Sequence, residues 1–220
     1  MVSLIQEVLN MTGMVFDIET TGLRDPIDIV QFSYMLFDID SGNPIQEGSA
    51  ELFLPSRAEI DPGAFSVTGI SEELLRTYTT RTFEDYIPEM VGVLANVDYI
   101  IGHNILGFDL RVVKAYGNID LNNILDSKKC VDTMQDFLSI LHKLTCLKNS
   151  TEISRSYLKL IECYYFLLRN GYTQSEVLNG FKRVFPKAEN QFHNASFDVY
   201  ITYLTYLYVR GVTENAETIS

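Results

Sequence analysis

Two carboxylates, Asp17 and Glu19, stand two positions apart inside an otherwise apolar run, MVFDIETTGL, residues 14–23. In a β-strand such residues project from one face, with Cα atoms roughly 6–7 Å apart, while Phe16 and Ile18 turn the other way into a core. Like charges so placed repel unless a cation sits between them. Hard oxygen ligands on a rigid strand suit Mg²⁺ or Mn²⁺. The spacing alone is common: Asp38/Asp40 and Glu59/Asp61 share it. What sets Asp17/Glu19 apart is the apolar strand before it and the sharp Thr20-Thr21-Gly22 turn after it, which leaves room for a ligand against backbone.

Two further stretches carry candidate chemistry. In IIGHNILGFDLR, residues 100–111, a buried strand ends at Gly102, Asn104 is placed to cap the next helix, and Asp109 falls in that helix's first turns. A carboxylate there lies at the sheet edge where sites gather. It would equally complement the helix dipole. In HNASFDVYIT, residues 193–202, His193 precedes a helix, Asp198 lies in its first turns and Thr202 is one turn further along the same face. That arrangement suits a general base beside a carboxylate metal ligand; a capping-region His with a solvated Asp is the alternative. No second His or Cys stands near enough for a zinc site.

Positioning these groups requires a sheet. Segments 14–19, 28–38 and about 49–54 are β-rich and separated by Thr21-Gly22 and Ser41-Gly42-Asn43-Pro44, which predicts an antiparallel meander. Ile60-Asp61-Pro62-Gly63 predicts a loop, and Ser71 and Thr82 predict helix caps, the second helix running to about Ala95 with a kink at Pro88. Residues 98–102 predict a strand and Ile105 to Tyr116 a helix. Beyond Lys129 the strand signal nearly vanishes. Helical spacing marks 133–143, 154–170 and 174–184, and a last helix runs from Ala195 to Arg210. A mixed sheet with helices on its faces follows, in a single domain over 1–220 with residues 211–220 as a polar tail.

The net charge of −12 argues against a protein that coats nucleic acid through a broad basic surface. The charge is uneven: residues 1–140 hold 8 basic and 22 acidic residues, and residues 141–190 hold 8 basic and 4 acidic. The positive segment reads as a solvated helical surface or as a track for a phosphate backbone, with Lys182, Arg183 and Lys187 as its guides. Cys130, Cys146 and Cys163 show no CxxC spacing, which predicts free thiols in a reducing, intracellular setting. There is no apolar stretch long enough to cross a bilayer, and no secretory leader is expected from the first residues.

Taken together, FDIETTGL, HNILGFD and HNASFDVYIT resemble, in order and in their surroundings, the DEDDh family of 3′-to-5′ exonucleases. That group contains the proofreading epsilon subunit of bacterial replicative polymerases and ribonuclease T. VTGISEELL (67–75) resembles the family's loop before its first helices, and CVDTM (130–134) its strand-to-helix step. The sister group carries Tyr four residues before the last Asp; here that position is Asn194. Gln31 stands where an acid is common and Thr68 where a His is common, and segment 135–192 does not align.

The resemblance implies a ribonuclease H-like fold, a mixed five-stranded sheet flanked by helices with a helical C-terminal half. It implies two divalent ions, Mg²⁺ or Mn²⁺, with Asp17 bridging, Glu19 and Asp198 completing one ion, and Asp109 supporting the other largely through water. His193 would take a proton from the attacking water. Thr20, Leu23 and Asn104 would meet the 3′ end of a single strand, DNA in preference to RNA. RNA trimming of the ribonuclease T type and a catalytically idle binding or assembly subunit are the rival expectations. A polymerase partner and a homodimer both remain open.

Overall fold

The computed structural model describes residues 11–116, 119–147, 158–188 and 193–217. Five strands, β1 (Thr12–Thr20), β2 (Ile29–Asp38), β3 (Ser49–Leu52), β4 (Tyr99–Gly102) and β5 (Lys129–Asp132), form one sheet in the order β3-β2-β1-β4-β5. The meander is present: β1 pairs with β2 and β2 with β3, both antiparallel. β4 then lies parallel to β1, and β5 parallel to β4. The polypeptide therefore changes its winding at β1, the strand that carries Asp17 and Glu19.

Between β3 and β4 lie α1 (Pro62–Thr68), α2 (Glu72–Tyr78) and α3 (Phe83–Ala95). After β4 come α4 (Asp109–Tyr116) and α5 (Ile119–Ser127), and after β5 come α6 (Thr133–Leu147), α7 (Leu160–Arg169), α8 (Gln174–Val184) and α9 (Ala195–Glu217). Ser71 caps α2 by accepting from the Leu74 N–H at 3.1 Å. Thr82 and Asp85 close a reciprocal box at the start of α3, which continues through Pro88.

Alternation along β1 divides the core. Phe16 and Ile18 join Phe32, Phe53, Phe83 and Met90 on the face covered by α3, α4 and α5. Val15 joins Met35, Phe37 and Ile101 on the opposite face, against Phe181, Phe197 and Ile201 of α8 and α9. By the strand's two-residue period, Asp17 and Glu19 belong to the Val15 side, the side that α9 covers. Buried large apolar side chains pack against both faces of β1 and β2.

Several expectations are corrected. Residues 62–68 are helical: Asp61 accepts the Gly63 N–H at 2.7 Å and Pro62 opens the helix, so the Pro-Gly pair starts a turn of helix instead of a loop. The fifth strand that the resemblance of CVDTM implied is present as β5, four residues long at the edge of the sheet, although the strand signal beyond Lys129 nearly vanishes. Asn104 is not a helix cap. It has φ of 59° and its carbonyl accepts from Gly107 and Phe108, so residues 103–108 form a turn and the helix begins at Asp109. The last helix continues to Glu217 through the first part of the expected polar tail. Of the helix expected over 154–170, the part before residue 158 lies outside the described residues; the rest is α7.

Candidate active site

Each acidic residue reaches the site through a distinct local cause. Asp17 and Glu19 come from the end of β1, where the pairing with β2 shifts register between Glu19 and Thr20. Such an irregularity re-aims a strand end. Opposite them on β2 stand Ser33 and Gln31, whose side chains share their face. Both dock the start of α9: Ser33 Oγ lies 3.0 Å from Ser196 Oγ, and Gln31 Oε1 accepts the Ala195 N–H at 3.0 Å. The cross-strand neighbours of the carboxylates thus bring Asp198 and His193 to them. Gln31 does the work of a helix cap from a neighbouring strand, so an amide suffices where an acid is common.

Asp109 arrives from the other direction. The β1–β4 ladder runs only from Gly13↔Tyr99 to Val15↔Ile101, so β1 outruns it and its backbone is open on that side. Asp109, at the first position of α4, takes a hydrogen bond from the Ile18 N–H there. The turn before it is held by buried Asp132 at the end of β5, which accepts from the backbone of Asn104 at 3.0 Å and Met134 at 3.1 Å.

The result is a group of carboxylates whose charges oppose one another. One ligand atom from each of Glu19, His193 and Asp198 lies within 4.8 Å of the other two. Burial, then the charges of Asp109, Asp198 and Glu19, hold the Asp17 carboxyl well above the usual carboxylate range. Glu19 is pushed up to about 9 by burial and by Asp198 and Asp109. Asp109 and Asp198 are each raised to about 7, burial being the larger cause in both. The His193 ring goes the opposite way, lowered by burial and by the charge of Lys159.

Two buried atoms here lack any partner among the described residues: Asp198 Oδ1 and Thr202 Oγ1. An orphaned carboxylate oxygen amid mutually repelling acids fits a divalent cation, since positive charge would satisfy the oxygen and relieve the repulsion together. Asp17, Glu19, Asp109 and Asp198 offer the hard oxygens such an ion takes. The other D/E-x-D/E pairs have ordinary duties. Asp38 Oδ1 accepts the Ser41 N–H at 2.7 Å in a turn, and Asp61 caps α1.

A cleft of about 1020 Å³ opens from these groups, lined by Glu19, Thr20, Thr21, Gly22, Leu23 and Arg24 on one wall. Glu59 to Ala64, with Val67 and Thr68, form the facing wall; Phe108 and His193 also line it. Leu23 is 78% exposed and presents an apolar surface to this cleft. Thr20, Leu23 and His193 all line this cleft. Asn104, Lys182, Arg183 and Lys187 do not line the cleft. Asn104 shapes the turn before Asp109, while Lys182 donates to the Ala188 carbonyl beside the last turn of α8.

The two walls share an anchor that sequence reading missed. Asp28, 1% exposed, accepts from the backbone of Ser56 at 3.0 Å, Arg57 at 2.6 Å and Ala58 at 2.7 Å, and from the Tyr116 hydroxyl at 2.6 Å. Arg57 adds an ion pair at 3.0 Å and stacks on Tyr116, its guanidinium 3.7 Å from the ring centroid. These bonds hold the Asp28 carboxyl below its usual value in spite of burial. Thr21 completes the clasp, donating to the Asp28 carbonyl and accepting from the Asp28 N–H, while its own carbonyl accepts from Asp61. In the sequence Asp28 stands only as the first residue of the β-rich segment 28–38, which names no partner for it.

No protein-family model matches the sequence, and no curated protein matches it. Solved structures do. The zinc-bound complex of Escherichia coli exonuclease I with single-stranded DNA aligns at a TM-score of 0.56 and 17% identity, over 90% of this chain and 40% of that one. The same enzyme with a dT13 oligonucleotide gives 0.57 and 18%, over 91% and 41%. A complex with a 5cy-dT13 oligonucleotide gives 0.59 and 17%, over 94% and 41%. The chain thus spans about two fifths of the length of those proteins. At this identity the likeness is one of fold, and the fold is the ribonuclease H-like one expected from the sequence. No helix among the described residues is long and apolar enough to cross a membrane.

Proposed function

We propose that the chain is a metal-dependent 3′-to-5′ exonuclease acting on single-stranded DNA. One observation carries this: ligand atoms of Glu19, His193 and Asp198 converge to within 4.8 Å, with a buried Asp198 oxygen unpartnered among the described residues, beside a cleft that Glu19 and His193 line. The fold it shares with exonuclease I bound to single-stranded DNA supports the choice of substrate.

Two divalent cations, Mg²⁺ or Mn²⁺, held by Asp17, Glu19, Asp198 and Asp109, would supply an activated water and charge neutralisation at the phosphate. The chain's own residues do the rest. His193 is exposed at the cleft, and its lowered pKa keeps the ring neutral near pH 7, able to take a proton. Asp198 holds that residue in place by accepting its backbone N–H at 3.1 Å. Thr20 stiffens the turn through its hydroxyl, which donates to the Gly22 carbonyl at 2.8 Å, and Leu23 offers an apolar surface to a base. A recessed site that reads one free end needs little basic surface, which reconciles the reading with the net charge of −12.

The test is a time course on single-stranded DNA, duplex DNA and RNA of matched sequence, with Mg²⁺ and with EDTA. Stepwise shortening of single-stranded DNA from the 3′ end, abolished by EDTA, is expected. Faster shortening of RNA would reassign the substrate to RNA trimming. No shortening of any substrate would leave an idle binding subunit.

A further inference from the structure

Among the five arginines of residues 1–140, four face a carboxylate. Arg57 pairs with Asp28 at 3.0 Å, Arg76 with Glu72, Arg81 with Glu89 at 2.8 Å, and Arg111 with Asp25 at 4.0 Å. Arg24 is the exception. It is exposed, and among the described residues it has no ion pair or hydrogen bond, although this part of the chain holds 22 acidic residues. It lines the cleft on the same wall as Glu19, one residue beyond Leu23.

Its backbone is not free to wander. Residues 22–27 form a loop whose two ends are clasped: the Thr21 N–H donates to the Asp28 carbonyl at 2.8 Å, and the Asp28 N–H donates to Thr21 Oγ1 at 2.9 Å. The buried Asp28 carboxylate then fixes that clasp to residues 56–58 and to Tyr116. A cation presented from a clasped loop, with no partner among the described residues, in a cleft whose acidic lining is Glu19, Glu59 and Asp61, is matched to an anion that comes with the ligand. The guanidinium fork suits a phosphate in two-pronged contact.

We propose that Arg24 binds an internucleotide phosphate of the strand upstream of the bond being cut. This rests on the exonuclease reading above. Leu23 separates Arg24 in sequence from the turn beside the carboxylates, so the cation serves the incoming strand and the acids serve the scissile phosphate. It makes Arg24 the residue that distinguishes a polynucleotide from a lone nucleotide ester.

The experiment compares wild type, Arg24→Ala and Arg24→Lys on a short oligothymidylate and on the p-nitrophenyl ester of thymidine 5′-monophosphate, which has no upstream phosphate. For Arg24→Ala the KM for the oligonucleotide is expected to rise about tenfold relative to that for the ester. The slope of log affinity against log salt should fall by about 0.7, the value for one single-strand phosphate contact, and Arg24→Lys should restore it. An unchanged oligonucleotide KM, or an equal rise on both substrates, overturns the proposal. If wild type cleaves neither substrate, the exonuclease reading fails separately. Anisotropy of the labelled oligonucleotide in Ca²⁺ then still decides Arg24: an affinity equal to wild type overturns its role.

Discussion

Asp198 divides its two oxygens: Oδ2 accepts the backbone N–H of His193 at 3.1 Å, while Oδ1 is buried with no partner among the described residues. The first bond holds the turn at His193, whose φ is 60°, and so aims the imidazole. The second oxygen is the one that the proposed cation would meet. Asparagine keeps an acceptor for the first task and loses the charge for the second. Asp198→Asn is therefore expected to fold, to lose metal-dependent nucleotide release, and to gain about 1–2 kcal/mol of stability without metal by removing one buried charge. In a chain of this size that is a Tm rise of ~3–6 °C by calorimetry in EDTA. A fall in Tm would mean the carboxylate is already compensated by protein.

The raised carboxyls make a prediction about pH. With Glu19 at about 9 and Asp109 and Asp198 at about 7, the folded chain holds more protons than the unfolded chain above the ordinary carboxylate range. Stability then falls as pH rises through those values. In EDTA, Tm should drop between roughly pH 5 and pH 9, and saturating Mn²⁺ should flatten the curve. A Tm independent of pH in EDTA would mean the acids do not repel one another.

His193→Ala should lower kcat by ~10²–10⁴-fold with little change in oligonucleotide affinity measured in Ca²⁺. Because burial and Lys159 lower the ring's pKa from 6.5, the acid limb of the wild-type rate profile at saturating Mg²⁺ should lie below that value. A limb above it would assign the proton to another group.

Asp28 tests the scaffold independently of the chemistry. Asp28→Ala strands three backbone N–H donors and Arg57, and should cost ~2–4 kcal/mol of stability in urea titration. Because its carboxyl is held below the usual value, this contribution is present above pH 4 and fades as pH falls through the lowered pKa. An unchanged unfolding midpoint would show that water replaces the network.

The grouping of Asp17, Glu19, Asp109, His193 and Asp198 was legible only from three stretches read together: an acid pair closing an apolar strand, an acid after a strand-to-helix turn, and a His and an acid at the start of a helix, each with an ordinary alternative when taken alone. The sheet and its meander were legible from alternation and turn residues. Asp28 was not, because its partners lie 28–30 and 88 residues away and no local pattern announces a contact that distant. β5 was too short for its period to show and was expected only from the resemblance of CVDTM, while α1 was hidden by a Pro-Gly pair that begins helices as readily as it makes loops. The role of Gln31 as a cap for α9 depends on tertiary placement alone.

The most direct test of the central claim is anomalous diffraction from crystals grown with Mn²⁺. The account predicts two peaks per chain, one among Glu19, Asp198 and Asp17 and one between Asp17 and Asp109, with both lost in Asp17→Asn. Peaks only elsewhere, or none at saturating Mn²⁺, would contradict it.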